Sequence, residues 1–215
     1  VRPQWWNDLS QVPAGPALVI ANEFFDALPI RQFLRGPDGW RERLVAWDAD
    51  AAALAFVLSG AQAAKAATAW GLKDIKAHTL AARLAAQGGA ALIVDYGHDR
   101  SAPGDTLQAV KDHQYADVLI DPGEADLTAH VDFQQLAQTC IQAGSVTFGP
   151  IGQGDFLIAL GIGARVQALT AQADDRQKAA IDAAFTRLTG AGQMGRLFRV
   201  LAVQHPGLPA PPGFE

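Results

Sequence analysis

The sequence predicts an α/β domain with a mostly parallel sheet, and three observations predict it. The run Leu18-Val19-Ile20-Ala21-Asn22-Glu23-Phe24-Phe25-Asp26 reads as an apolar strand that stops in an amide and two carboxylates. The run Ala91-Leu92-Ile93-Val94 ends the same way, in Asp95-Tyr96-Gly97-His98. Between them lies a helical stretch closed by Gly88-Gly89, so strand, helix and strand alternate as in a parallel sheet. In such sheets ligands bind at the carboxyl ends of the strands, which makes both polar exits candidate site residues.

Each element follows from local pattern. Val1 to Pro16, with three prolines and two tryptophans, reads as a connecting segment. Leu18 to Phe24 is apolar without alternation, which predicts a strand buried on both faces. Ile30 to Arg35 alternates, Gly36-Pro37-Asp38-Gly39 turns, and Trp40 to Trp47 returns, giving a β-hairpin insertion over residues 30–58 once a short strand at Leu54 to Leu58 is added. Ala61 to Leu72 is alanine-rich and carries few signals. Asp74 to Gln87 has helical spacing and ends at the glycine pair. Ala90 to Val94 is the second strand. Gly97 to Gly123 reads as a long polar loop. Asp126 to Ala143 reads as the next helix, with Asp132 as an N-cap for Phe133 onward. Ser145 to Phe148 is a strand, Gln153 to Leu169 and Asp174 to Leu188 are helices, and Arg196 to Val203 is an alternating strand expected to run antiparallel. Residues 206–215 form a proline-rich tail, expected at the surface.

Composition narrows the function classes. The chain has 215 residues, 49% of them hydrophobic, which is enough for a sizeable core. A formal net charge of −5 argues against a nucleic-acid footprint. No apolar run approaches the ~20 residues of a membrane span. Cys140 is the only cysteine, so no intrachain disulfide forms, and its apolar helical setting predicts an inert packed thiol. No His-Glu-x-x-His, paired cysteine or closely spaced histidine pair occurs, so no metal site is expected. The serine-hydrolase elbow and the phosphate-binding lysine loop are absent too.

Four ordered stretches carry a resemblance. They are Ala21-Asn22-Glu23-Phe24-Phe25-Asp26-Ala27-Leu28-Pro29; Asp95-Tyr96-Gly97-His98; Gly104 to Gln108 with Pro122 to Phe133; and Gly152-Gln153-Gly154-Asp155-Phe156-Leu157. Met194-Gly195-Arg196-Leu197-Phe198-Arg199-Val200 fits as well. The chain resembles the carboxyl-terminal portion of the S-adenosylmethionine-dependent methyltransferase family that includes the mitochondrial complex I assembly methyltransferase and its bacterial homologues. The resemblance implies a class I, Rossmann-like methyltransferase sheet, of which this chain holds the later strands. It also implies S-adenosylmethionine as cofactor and methylation of arginine on a partner protein, a respiratory complex I subunit for the mitochondrial member. The location it implies is the cytoplasm of a bacterium or the mitochondrial matrix of a eukaryote. The family's glycine-rich cofactor loop has no counterpart here, so the cofactor-binding residues are expected upstream of a truncated chain.

Methyl transfer is a displacement at carbon that depends mainly on alignment. An arginine acceptor also needs carboxylates that grip the guanidinium in a bidentate fashion. Glu23 and Asp26, one turn apart at the first strand's exit, are the candidate catalytic pair. Asn22, Asp95, Tyr96, His98 and His130 are the candidate substrate-binding residues, with His98 able to take a proton. Two other readings stay open. In one, the chain is a non-catalytic assembly factor docking through Phe33, Trp40 and Trp47 of the insertion; in the other, its acceptor is a small molecule.

Overall fold

The computed structural model describes residues 2–60 and 72–214, so the alanine-rich stretch at 61–71 lies outside the described residues. Two compact units are present. The first comprises Val1–Phe24, Lys76–Ala102 and Val131–Glu215; the second comprises Phe25–Ile75 and Pro103–His130.

In chain order the elements are β1 (Ala17–Asn22), β2 (Gln32–Gly36), β3 (Gly39–Asp48), β4 (Ala53–Leu58), α1 (Leu72–Gln87) and β5 (Gly89–His98). There follow β6 (Leu107–Lys111), β7 (Gln114–Ala116), β8 (Asp126–Ala129), β9 (Val131–Asp132) and α2 (Phe133–Gln142). The chain closes with β10 (Val146–Gly152), α3 (Gln153–Ala159), α4 (Ile162–Thr170), α5 (Asp175–Thr189), α6 (Met194–Leu197) and β11 (Phe198–Gln204).

The first unit is built on a sheet of order β1-β5-β11-β10, with β9 added at the end of β5. Strands β1 and β5 are parallel, and the final strand β11 runs antiparallel to both its neighbours. This is the α/β architecture the alternation predicts. Ala77, Leu80, Ala81 and Leu84 recur at helical spacing on α1 and are all buried, as are Phe133, Leu136 and Cys140 on α2. Polar contacts tie α1 to α2 and to the turn after it: Cys140 Sγ on α2 lies 4.0 Å from the Ala77 carbonyl, and Ser145 Oγ, just past α2, donates to the Ala81 carbonyl at 2.8 Å. Asp132 caps α2, its carboxylate accepting the Gln135 N–H at 2.9 Å.

Gly89 makes the β1–β5 pairing possible. Its φ is +107°, and a Cβ there would lie 2.0 Å from the Ala17 carbonyl oxygen. The Gly88-Gly89 pair therefore ends α1 and also lets the next strand meet β1 backbone to backbone.

Five expectations change. Strand β1 is not buried on both faces, because Leu18 and Ile20 project into solvent on one of them. The stretch after β5 is not a loop: β6, β7 and β8 form an antiparallel sheet, turned at Asp112-His113, both with positive φ as a tight two-residue hairpin requires. The segment from Asp126 is strand first and becomes helix only at Phe133, because the Asp132 cap sets the start. The helix from Gln153 breaks in two at Gly161, whose φ is +85°. The tail folds back rather than extending. Phe214 packs 5.2 Å from Phe156, and Gln204 Nε2 donates to the carbonyls of Leu208 and Pro209.

In the second unit, β2, β3 and β4 form an antiparallel sheet over the insertion. Arg31 grips Glu42 in a bidentate fork at 2.7 and 2.8 Å, which holds that carboxyl below its usual range. Burial would raise the Asp105 carboxyl, but hydrogen bonds from Arg43, Gln32 and the Leu107 N–H outweigh it and the carboxyl is lowered. The pairing register puts Phe33 and Trp40 on one face of this sheet and Trp47 on the other, so the three do not form one docking surface. Among the described residues, no helix is long and apolar enough to cross a membrane, and no group of three or more acids, histidines or cysteines is placed to hold a metal.

Two outcomes follow from this packing. Gly89→Ala should destabilise the chain by about 3 kcal/mol or more, from overlap with β1 and a forced positive φ, read as a fall in the denaturation midpoint. Burial pushes the Cys140 thiol up from 9.0 to about 12. A thiol whose pKa rises on folding stabilises the fold below its unfolded value and loses that contribution as pH climbs from about 9 to about 12. Cys140 should therefore resist a thiol-specific disulfide reagent at pH 8 until denaturant is added, and reaction in the folded state would contradict this packing.

Candidate functional site

The site candidates of the first unit stand at the carboxyl ends of neighbouring parallel strands. Asn22 is in register with Val94, and the Glu23 N–H extends the ladder by donating to the Val94 carbonyl at 2.9 Å. This fixes Glu23 beside the carboxyl-terminal half of β5. Glu23 is one of few non-glycine residues with positive φ, +49°. The chain swings out of the sheet there, and the carboxylate is left exposed. Asn22 Nδ2 donates to Glu23 Oε1 at 3.3 Å.

Strand alternation splits the residues of β5. Asp95 shares a face with Ala91 and Ile93 and is fully buried, with Oδ1 accepting the Tyr96 N–H at 2.9 Å. It faces the core instead of lining the crevice expected of it. Tyr96 lies on the opposite face and packs edge-on against Phe198, with ring centroids 5.6 Å apart. Gly97 must be glycine, since a Cβ would fall 2.0 Å from the Val131 carbonyl oxygen. That close approach brings β9 alongside and sets His98 opposite Asp132, with Nε2 and Oδ2 3.8 Å apart.

Asp26 and His130 belong to the second unit. The Asp26 carbonyl accepts the Ala129 N–H at 3.1 Å, which places it next to the strand that leads into His130. Glu23 and Asp26 are not stacked on one helical turn as the spacing implied. The chain bends at Glu23 and turns at Phe25 to Leu28, so Glu23 is exposed while Asp26 is buried. Sequence reading missed Asp132 as the partner of His98, and Phe198 as the partner of Tyr96. Asp132 had already announced itself as a helix cap, but its second oxygen's role depends on strand pairing. The Tyr96–Phe198 contact depends on an antiparallel register that no local pattern encodes.

Comparisons with known proteins identify the family. Residues 1–151 match a family described as "Putative S-adenosyl-L-methionine-dependent methyltransferase". The protein named protein arginine methyltransferase NDUFAF7, mitochondrial, of Danio rerio is 39% identical over 214 residues, covering 93% of this chain and 50% of that protein. Its Homo sapiens counterpart is 41% identical over 179 residues, covering 77% of this chain and 40% of that protein. A crystal structure from Burkholderia thailandensis bound to S-adenosyl-homocysteine superposes with a TM-score of 0.77 at 27% identity, covering 99% of this chain and 57% of that one. This chain thus spans about half the length of the curated relatives it matches. The chain belongs to the S-adenosyl-L-methionine-dependent methyltransferase family.

Proposed function

We propose that this chain forms part of an S-adenosylmethionine-dependent protein arginine methyltransferase in which Glu23 holds the acceptor arginine. The observation that carries the reading is the backbone of Glu23. A non-glycine residue in the left-handed region costs of order 1–3 kcal/mol, and such strain clusters at functional sites. Glycine would remove that cost, yet an exposed carboxylate stands there instead. The naming of the relatives as arginine methyltransferases supports the choice of acceptor.

When bound, S-adenosylmethionine supplies a methyl group on a sulfonium. Glu23 accepts two guanidinium N–H bonds and orients the third nitrogen outward. Asn22 limits the swing of that carboxylate through its bond to Oε1. Tyr96, backed by Phe198, forms an apolar wall for the arginine stem. His98 receives the proton released from the methylated nitrogen, with Asp132 steadying the imidazolium. Asp26 has no contact with the acceptor in this scheme and supports the fold through its bond to Ala129. His130 lies in the second unit and is assigned to the protein substrate. The residues present fit the acceptor side. On the cofactor side, no described glycine turn joins a parallel strand to a helix, and a further segment of the fold would supply it.

Two measurements test the reading. In the smallest polypeptide containing this chain that binds S-adenosylhomocysteine, Glu23→Gln should lower kcat for arginine methylation by about a hundredfold or more. Glu23→Gly should lose activity as fully while leaving stability unchanged or raising it by about 1 kcal/mol. Full activity in both variants would remove Glu23 from the mechanism. Separately, calorimetric titration of the 215-residue chain with S-adenosylhomocysteine should show no micromolar binding. Micromolar binding would place the cofactor site within these residues.

A further inference from the structure

We propose that the open face of the β7-β6-β8 sheet docks a basic, arginine-containing segment of the protein that is methylated. The inference rests on the reading of this chain as part of a protein arginine methyltransferase, and it adds a recognition surface to that reading.

The pairing register defines the face. Val110 on β6 lies opposite Tyr115 on β7 and opposite Asp126 on β8, so the three side chains form one row across the sheet. Gln108 and Thr128 form the next row on the same face, joined by a hydrogen bond of 3.3 Å from Gln108 Nε2 to Thr128 Oγ1. The other face is packed at Ala109 and Ala129, which are both buried. On the open face Tyr115 is 83% exposed, and Asp126 is exposed beside it. A ring left in water stabilises the fold little, whereas tyrosine is enriched where proteins meet a partner.

Charge selects the occupant. Residues 111–126 carry five carboxylates against one lysine, so this segment supplies four of the chain's five net negative charges. The lysine, Lys111, pairs with Asp121 at 3.4 Å. Among the described residues no ion pair answers Asp112, Glu124 or Asp126, and all three are exposed. A face that offers an open ring and unanswered carboxylates suits guanidinium, whose plane stacks on the ring and whose fork takes a carboxylate in two bonds. Two strand spacings set Tyr115 and Asp126 roughly 10 Å apart, so they hold two different cationic side chains of one segment. The substrate of an arginine methyltransferase brings guanidinium by definition, and a segment with further basic residues is retained here. An acidic partner or a nucleic acid is repelled by the same charges.

The test titrates this chain with a short synthetic peptide of glycine, serine and several arginines at low ionic strength. The peptide should bind, and raising the salt from about 50 to about 200 mM should weaken it several-fold. The triple variant Asp112→Asn, Glu124→Gln, Asp126→Asn should bind it about tenfold more weakly. Tyr115→Ala leaves the charge unchanged and should weaken binding by about threefold. Neutralising three exposed acids elsewhere, with Asp50→Asn, Asp175→Asn and Asp182→Asn, changes the net charge equally and should leave binding as it was. Every substituted residue is exposed, so each variant should fold. Any of three results would overturn the proposal: no binding by the unsubstituted chain, undiminished binding by the triple variant, or the same loss in the variant neutralised elsewhere. The titration reads equilibrium binding, so it stands apart from the Glu23 activity measurements that decide the methyltransferase reading itself.

Discussion

The parallel pairing of β1 with β5 is the constraint on which the candidate site depends. It begins at Gly89, where any side chain would strike the backbone of Ala17, and ends where the Glu23 N–H reaches the Val94 carbonyl. Between those points the register runs unbroken from Ala17↔Gly89 to Asn22↔Val94. A one-residue slip would exchange the two faces of β1 and turn Asn22 away from its present side. The glycine at the amino end thus sets the position of the carboxylate at the other end, six residues away along the strand, without touching it. Gly97 repeats the device farther along β5. Its missing side chain admits β9, and that admission puts Asp132 against His98.

Much of the architecture was legible because its signals are local. The strand–helix–glycine–strand order, the Asp132 cap and the hairpin insertion each follow from residues close together in sequence. The misread parts share a different cause. Leu18 and Ile20 are as apolar as any core strand, and sequence alone does not reveal that nothing described covers them. Asp112-His113 lacks the glycine that marks most tight hairpins, and the turn between β6 and β7 was hidden for that reason. In the site, the spacing of Glu23 and Asp26 is the same in a helix and in a bend. Only the positive φ at Glu23 decides between them, and it separates an exposed carboxylate from a buried one. Asp95 and Tyr96 are adjacent in sequence and diverge for the plain reason that strand neighbours point to opposite faces.

Burial at β1 carries an energetic consequence. Covering a leucine or an isoleucine is worth roughly 1.5–3 kcal/mol each, so the two exposed side chains forgo several kcal/mol. Natural domains have a net stability of about 5–15 kcal/mol, which makes that a substantial fraction. Scattered exposed apolar residues are ordinary; these two share one face of the strand at which the sheet order ends.

Glu23 stands at the meeting point of these constraints. Its N–H is the last rung of the β1–β5 ladder, its φ is left-handed, and its carboxylate is tethered by Asn22 at Oε1. A residue that merely ended the strand could be glycine, which takes that conformation without strain. A residue that merely met solvent could sit in any relaxed loop. Holding a charged side chain in a strained backbone, at the open end of a parallel pair, serves neither folding nor solubility. On the proposed function it fixes the direction of a carboxylate before the acceptor cation arrives, so less orientational freedom is lost on binding. Strain that lies in the fold rather than in the complex is the physical ground for assigning the acceptor to this residue and not to the buried Asp26.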